Sequence, residues 1–102
     1  MAYDIRKVDV WVGDMADRPA ALAEKLEAVA AAGAHLECVI ARRAWNHPKR
    51  SVVFLAPLRG AAQARAARAV GLEKALGMNS LRVEGPDRPG LVAKLTRAVG
   101  DA

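Results

Sequence analysis

The sequence predicts an α+β fold, a four-stranded antiparallel sheet with two helices on one face, from three observations. Short runs of β-forming residues are separated by alanine-rich segments with helical spacing. These segments follow the order strand, helix, strand, strand, helix, strand. The chain has 102 residues, 53% hydrophobic and 26% charged, which suits one small globular domain.

The first strand is predicted close to the N-terminus. Residues 8–12 (VDVWV) alternate apolar with other side chains, a pattern typical of a strand with Val8, Val10 and Val12 on one face. Residues 13–18 (GDMADR) are rich in turn formers. We therefore expect them to form the loop that follows the strand.

The first helix is predicted to begin at the Asp17-Arg18-Pro19 turn. A proline suits the first turn of a helix, because its missing N–H would have no partner there in any case. The Asp17 carboxylate is placed to cap the helix start. Apolar side chains then recur at helical spacing as far as Gly33, which is a natural C-terminal stop.

A hairpin is predicted in the middle of the chain. Residues 35–44 (HLECVIARRA) and 50–58 (RSVVFLAPL) have the composition of two strands. The turn residues 45–48 (WNHP) lie between them. Since so few residues join the two strands, we expect them to pair antiparallel.

A second helix and a fourth strand complete the predicted unit. Residues 61–70 (AAQARAARAV) predict the helix, which ends at Gly71, and residues 72–76 allow one further short turn. Residues 80–84 (SLRVE) predict the fourth strand. The resulting order βαββαβ is that of the ferredoxin-like sandwich.

An additional C-terminal helix lies beyond this unit. Residues 85–90 (GPDRPG) open a helix over 91–99 whose apolar side chains need a surface to cover. Its opening repeats an earlier motif, because Asp87-Arg88-Pro89 follows Asp17-Arg18-Pro19 by 70 residues. In both places the motif stands between a predicted strand and an amphipathic helix, which suggests a duplicated unit.

The repeat divides the chain into two parts. Residues 1–84 form one complete unit, and residues 80–102 form the strand and helix that begin a second. The incomplete copy leaves an apolar helix face without its own sheet. We expect that face to pack on the first unit or on another chain.

These residues resemble the ACT domain family, small ligand-binding modules attached to many enzymes of amino-acid metabolism. The stretch 83–95 (VEGPDRPGLVAKL) is similar to the family's strand, its D-R-P-G loop and the start of its helix. The first copy, residues 17–36, differs in having Ala20 where the family usually has glycine and His35 where it commonly has asparagine. The resemblance implies an amino-acid ligand, held where the first strand meets the first helix, usually at a junction between two modules.

Two loops are the candidate ligand site. A helix start offers unpaired N–H groups and partial positive charge to an α-carboxylate, while a nearby carboxylate or carbonyl suits an α-ammonium. Gly90 leaves room for a ligand to approach the backbone, whereas Ala20 would crowd the equivalent place, so the second loop is the better candidate. Helix capping is the competing interpretation for both aspartates of the repeated motif. The candidate ligand-binding residues are Gly13, Asp14, Met15 and Asp17 in the first loop and Gly85, Asp87, Arg88 and Gly90 in the second.

The charge balance leaves a second class of function open. Sixteen Lys and Arg against eleven Asp and Glu give a formal charge of +5, which permits nucleic-acid binding without requiring it. The candidate surface is the hairpin around Trp45, with Arg42, Arg43, Lys49 and Arg50. A purely structural oligomerisation domain is the other alternative.

The sequence predicts neither catalysis, nor a metal site, nor a cofactor. Ser51 and Ser80 lie in predicted strands without a neighbouring base, so we do not expect an enzyme. His35 and Cys38 would face opposite sides of a regular strand, which disfavours a zinc site.

The compartment and the assembly state are also predicted. No apolar run approaches the roughly 20 residues of a membrane span, and the first residues lack the apolar stretch of a secretory signal. With Cys38 as the single cysteine, we expect a cytoplasmic protein without a membrane partner. The small alanine-rich core and the incomplete second copy predict a homodimer or higher oligomer, in which a ligand between modules acts allosterically.

Overall fold

Two antiparallel sheets and three helices make up the α+β fold. The computed structural model describes residues 3–102, and all elements named here are counted within them. The strands are β1 (Asp4–Val8), β2 (Trp11–Ala16), β3 (Cys38–Arg43), β4 (Arg50–Ala56), β5 (Glu73–Lys74) and β6 (Ser80–Glu84). The helices are α1 (Ala21–Ala31), α2 (Gly60–Ala69) and α3 (Leu91–Gly100).

The larger sheet has four strands in the spatial order β3-β4-β2-β5. All neighbours are antiparallel, with Trp11 opposite Leu55 across β2 and β4, and Ile40 opposite Phe54 across β3 and β4. The four-stranded antiparallel sheet and the β3–β4 hairpin predicted from the sequence are therefore confirmed. Helix α1 connects β2 to β3, and α2 connects β4 to β5.

The fourth strand of this sheet differs from the prediction. It is β5, where Lys74 lies opposite Trp11 and Glu73 opposite Val12. The position of β5 follows from Leu72, the residue just before it. Leu72 is completely buried, and its N–H donates to the Ala67 C=O at 2.9 Å. This contact turns the chain directly from α2 back to the open edge of β2. The short helical turn predicted over residues 72–76 was therefore wrong.

The strand predicted at residues 80–84 belongs to the smaller sheet. As β6 it pairs antiparallel with β1, from Asp4 opposite Glu84 to Val8 opposite Ser80. The predicted first strand, residues 8–12, is interrupted at Asp9 and Val10, which separate β1 from β2. The N-terminal segment therefore contributes one strand to each sheet.

Residues 13–16 were predicted as a loop but lie in β2. Gly13 pairs opposite Val53. Close packing against the residues that follow α2 explains why a glycine stands here. A Cβ atom at Gly13 would lie 2.7 Å from the Gly71 carbonyl oxygen and 2.8 Å from Leu72 Cδ2. The glycine therefore allows the chain after α2 to pass against the sheet.

The core lies between the four-stranded sheet and helices α1 and α2. Alternate residues of β2 and β4 face the helices, as the period of a strand requires. The buried cluster consists of Trp11, Met15, Ala21, Val29, Val53, Leu55, Ala67 and Leu72. Trp11 is its largest member, only 2% exposed, and the Arg68 guanidinium lies 5.3 Å from the centre of its ring. Within the described chain, none of the helices is long and apolar enough to cross a bilayer.

Candidate functional site

Helix α1 begins at a corner that follows the end of β2. The Asp17-Arg18-Pro19 turn leads to Ala20, which has a left-handed backbone with φ of 70°. The Arg18 C=O accepts the Ala21 N–H at 3.3 Å, and the Ala20 C=O accepts the Glu24 N–H at 3.0 Å. No side chain of residues 3–102 caps this helix. Its first turn therefore presents N–H groups and partial positive charge at the corner.

Asp17 holds the corner to the β3–β4 hairpin. Its carboxylate lies 3.2 Å from Arg43 Nε and accepts a hydrogen bond from Ser51 Oγ at 3.4 Å. Its backbone N–H donates to the Lys49 C=O at 2.9 Å. The prediction that Asp17 caps α1 was wrong, because the carboxylate is directed toward the hairpin.

A cleft of about 360 Å³ opens beside this corner. Two ion pairs line it, Arg50 Nη2 with Asp14 Oδ2 at 2.7 Å and Arg18 Nη2 with Glu24 Oε2 at 2.6 Å. The complete lining is Asp14, Met15, Ala16, Arg18, Ala21, Glu24, Lys25, Arg50 and Val70. Lys25 Nζ donates to the Val70 C=O just beyond the end of α2. The lining thus carries cationic and anionic groups side by side.

The ion pairs shift the pKa values of these groups in the direction that favours their charged forms. The hydrogen bond and positive charge of Arg50 hold the pKa of Asp14 below its ordinary value. Arg18 lowers the pKa of Glu24 in the same way, and Glu24 raises the pKa of Arg18. At neutral pH the cleft therefore presents carboxylates and guanidinium groups to the same small volume.

The first-loop residues predicted from the sequence do not all meet at this cleft. Asp14 and Met15 line it. Met15 is only 8% exposed and also belongs to the core. Gly13 is buried, and packing of the chain after α2 accounts for it. Their assignment as ligand contacts stays a prediction.

The second-loop residues lie outside the lining of the cleft. Asp87, Arg88 and Gly90 are exposed, and Gly90 has a left-handed φ of 85°. A Cβ atom at Gly85 would lie 2.7 Å from Tyr3 Cδ1, so the glycine allows that ring to pack. The second corner therefore repeats the backbone of the first without an equivalent set of charged neighbours from a hairpin.

The sequence prediction missed four charged residues of the cleft. Arg18 belongs to the turn before α1, Glu24 and Lys25 lie on α1, and Arg50 begins β4. A local signal existed for Lys25, because its position one turn before Val29 falls near the apolar stripe of the helix. Arg50 reaches the cleft only through the pairing of β4 with β2, which no local pattern indicates.

A larger and more apolar groove, of about 630 Å³, lies between the two sheets. Ile40 and Phe54 from the sheet face opposite the helices and Leu81 from β6 are among its lining residues. Arg42 contributes a guanidinium 5.9 Å from the centre of the Phe54 ring. The sequence did not predict this groove, because it forms where the smaller sheet approaches the larger one.

The described part of the chain has no cluster of side chains suited to binding a metal ion. No three His, Cys, Asp or Glu side chains of residues 3–102 are grouped so that they could hold a metal ion.

The chain corresponds to no protein-family model, and no curated protein sequence matches it significantly.

Proposed function

We propose that this chain is a non-catalytic, ACT-like regulatory module that binds an amino acid at the corner between β2 and α1. The observation that carries the proposal is the cleft of about 360 Å³ beside the uncapped start of α1. Its volume falls within the range of small-molecule sites, roughly 300–1,000 Å³. Its groups of both charges are complementary to a zwitterion.

The two ends of an amino acid find separate partners there. The α-carboxylate would approach Arg18, Lys25 and the first-turn N–H groups of α1. The α-ammonium would approach the carboxylates of Asp14 and Glu24, which are ionised at neutral pH and whose pKa values the neighbouring arginines lower further. Binding would exchange the exposed Arg18–Glu24 ion pair for contacts with the ligand, a small loss because exposed ion pairs contribute little.

The arrangement of residues 11–74 supports the ferredoxin-like part of this proposal. Its elements follow the order βαββαβ, with β2 and β4 adjacent in the middle of the sheet. In the proposed ferredoxin-like arrangement, β5 replaces the fourth strand that was predicted at residues 80–84. The β6–α3 segment is then the beginning of a second ACT-like unit.

Regulation would operate through the β3–β4 hairpin and another polypeptide. Asp17 and Asp14 connect the corner to Arg43 and Arg50 of the hairpin. A ligand that favours one arrangement of these ion pairs would favour one position of the hairpin. A partner bound to the hairpin would then sense the ligand through that difference in free energy.

Calorimetric and thermal-shift measurements with the twenty common amino acids test the proposal. A ligand at 100 times its Kd should stabilise the protein by about 2.7 kcal/mol. Arg18→Gln should weaken binding by about tenfold or more, since it removes a charged hydrogen-bond donor. Arg88→Gln is the matched variant in the second corner and should leave binding unchanged.

Two results would overturn the proposal. If no amino acid at millimolar concentration changed the melting temperature, the cleft would not be an amino-acid site. Loss of binding in Arg88→Gln, with binding retained in Arg18→Gln, would transfer the site to the second corner.

A single-stranded RNA surface is the second candidate, favoured by one observation. Trp45 at the hairpin turn is 89% exposed, which suits stacking on a base. However, Arg43 and Arg50 beside it are engaged with Asp17 and Asp14. Binding to single-stranded RNA that weakens steeply with salt and is lost in Trp45→Ala would favour this function over amino-acid binding.

A further inference from the structure

The groove of about 630 Å³ between the two sheets has no part in the proposed function. We call it the intersheet groove and define it by the strands that line it, β3 and β4 on one side and β1 and β6 on the other. Its volume falls within the range of small-molecule sites, roughly 300–1,000 Å³. It shares no lining residue with the cleft at the first corner, so the two can be occupied independently.

Large apolar side chains on both sides of the intersheet groove are exposed to solvent. Ile40 of β3 is 53% exposed, Leu81 of β6 is 63% exposed, and Met78, just before β6, is 48% exposed. Apolar surface in contact with water is unfavourable, and an apolar body that filled the groove would remove it from water. The groove therefore favours a ligand with an apolar body.

The charge of the lining indicates the other half of the ligand. Glu37 is the single carboxylate among the lining residues that the structure describes, and its Oε2 lies 2.5 Å from Arg82 Nε, so its charge is already matched. A cleft that is lined by one sign of charge and has apolar walls attracts ions of the opposite sign. The lining thus predicts an anionic group on the ligand. Its five cations are Arg6, Lys7, Arg42, Arg59 and Arg82.

Three of these cations have no carboxylate partner. Arg6 and Arg82 form ion pairs with neighbouring carboxylates. Within residues 3–102, no carboxylate lies at ion-pair distance from Lys7, Arg42 or Arg59. An anion could therefore bind these three without breaking an existing ion pair.

Arg42 is the best placed of the three. Its guanidinium lies 5.9 Å from the centre of the Phe54 ring, which is part of the apolar wall. This cation–π contact holds the charge at the border of the apolar surface. A guanidinium binds a carboxylate through two parallel hydrogen bonds, so Arg42 can hold the charged end of a molecule whose body lies against Ile40.

We propose that the intersheet groove binds a small carboxylic acid with an aliphatic body. The carboxylate binds Arg42, with Lys7 and Arg59 adding positive charge, and the body packs against Ile40 and Leu81. An aliphatic body suits walls in which Phe54 is the one aromatic side chain among the described lining residues. This inference does not depend on amino-acid binding at the first corner.

Protection of Cys38 by octanoate tests where the acid binds. Cys38 is the single cysteine, is exposed and lines the groove, so its alkylation by iodoacetamide reports whether the groove is filled. At ten times its Kd, octanoate should slow the alkylation about tenfold, because only about a tenth of the protein then remains free. Octanol has the body without the charge, and acetate has the charge without the body. Each should bind about tenfold or more weakly than octanoate.

Two matched pairs of variants test the contacts, with octanoate binding measured by calorimetry. Arg42→Gln should weaken binding about tenfold. Arg65→Gln removes the same charge from α2, outside the groove, and should leave binding unchanged. Leu81→Glu places a carboxylate in the apolar wall and should abolish binding. Ile5→Glu places one at a position of the smaller sheet that is 56% exposed but outside the lining, and should leave binding unchanged.

Four results would overturn the proposal. The first is alkylation of Cys38 that octanoate does not slow at millimolar concentration, and the second is equal protection by octanol. The third is equal weakening in Arg42→Gln and Arg65→Gln, which would reduce the attraction to the net charge of the chain. The fourth is alkylation that slows when the protein alone is concentrated, because a second copy would then cover the groove.

The test is separate from that of the proposed function. The thermal response to amino acids should persist in Arg42→Gln and Leu81→Glu, because neither residue lines the cleft at the first corner. Octanoate binding should persist in Arg18→Gln, because Arg18 does not line the intersheet groove. The failure of one proposal is therefore distinguishable from the failure of the other.

Discussion

At the Asp17 corner and at the Asp87 corner the chain follows the same path. In each, a strand is followed by the Asp-Arg-Pro turn, and the arginine C=O accepts the N–H three residues later at 3.3 Å. The residue before the helix is left-handed in both, with φ of 70° at Ala20 and 85° at Gly90. The two corners differ instead in what surrounds them. Val29 of α1 is completely buried, whereas Val99, which occupies the equivalent position of α3, is 73% exposed.

This difference separates local from tertiary causes. The turn and the helix form at both corners, because proline, the left-handed residue and the apolar spacing are present in both. Burial occurs only at the first corner, where β4 pairs with β2 and the α2 helix packs beside α1. The short motif thus determines the shape of a corner, and the later hairpin and helix determine whether its apolar face is covered.

The largest difference in the stability cost of a substitution should appear between Trp11 and Leu81. These residues occupy equivalent strand positions and are 2% and 63% exposed. Trp11→Ala should lower the free energy of unfolding by about 3–5 kcal/mol, because it leaves a cavity in the core. Leu81→Ala should lower it by about 0.5 kcal/mol or less. Urea unfolding of dilute protein, followed by circular dichroism, measures both. Equal costs at the two positions would show that the second corner is packed as well as the first.

A second pair compares Gly13 with Val83, which stand at equivalent positions. Gly13→Ala brings a Cβ to 2.7 Å from a backbone oxygen that cannot easily move. It should destabilise the fold by about 1–3 kcal/mol. Val83→Ala should change the stability by about 0.5 kcal/mol or less. A neutral Gly13→Ala variant would mean that the chain after α2 does not press on β2 as described.

Exchanging the left-handed residues should change stability in opposite directions. Ala20→Gly removes an unfavourable φ, and Gly90→Ala introduces one, each with an effect of about 1 kcal/mol. Urea unfolding measures the first change. The second change is measured by hydrogen–deuterium exchange of the Lys94 backbone amide, whose N–H donates to the Gly90 C=O at 2.9 Å. Faster exchange in α3 and a more stable first unit are expected, and two changes of the same sign would contradict the equivalence of the corners.

The smallest effect should appear in acid titration of the first corner. Arg50 lowers the pKa of Asp14 in the folded state, so the ion pair contributes stability above the unfolded pKa of about 3.9. That contribution is lost as the pH falls through the lower folded pKa. Arg50→Gln should return the pKa of Asp14 toward its ordinary value, as measured by carboxyl carbon NMR shifts. An unchanged titration would show that Arg50 is not its main partner.

Much of the fold was predictable where the cause is local. The spacing of apolar residues predicted α1 and α3, Gly33 and Gly71 marked helix ends with φ of 92° and 83°, and the short turn predicted the β3–β4 hairpin. Strand β5 was not predictable in this way. The pair Glu73-Lys74 has no apolar pattern and is a strand only because Trp11 and Val12 lie beside it.

The candidate site was predictable in its position but not in its composition. A strand end followed by a helix start indicated the corner, and Asp14 was named from it. The partners of both first-corner aspartates, Arg43 and Arg50, reach it from a hairpin that folds back across the sheet. The role of Asp17 therefore depended on tertiary structure, and a local preference for capping gave the wrong partner.

Lys25 joins two parts of the first unit that are distant along the chain. Its ammonium group lines the cleft and donates to the Val70 carbonyl just beyond the last turn of α2. A lysine ammonium group carries three N–H donors, so an anionic guest in the cleft would share it with that carbonyl. An occupied corner and an anchored crossover from α2 to the edge strand are therefore compatible, and a single side chain would connect them.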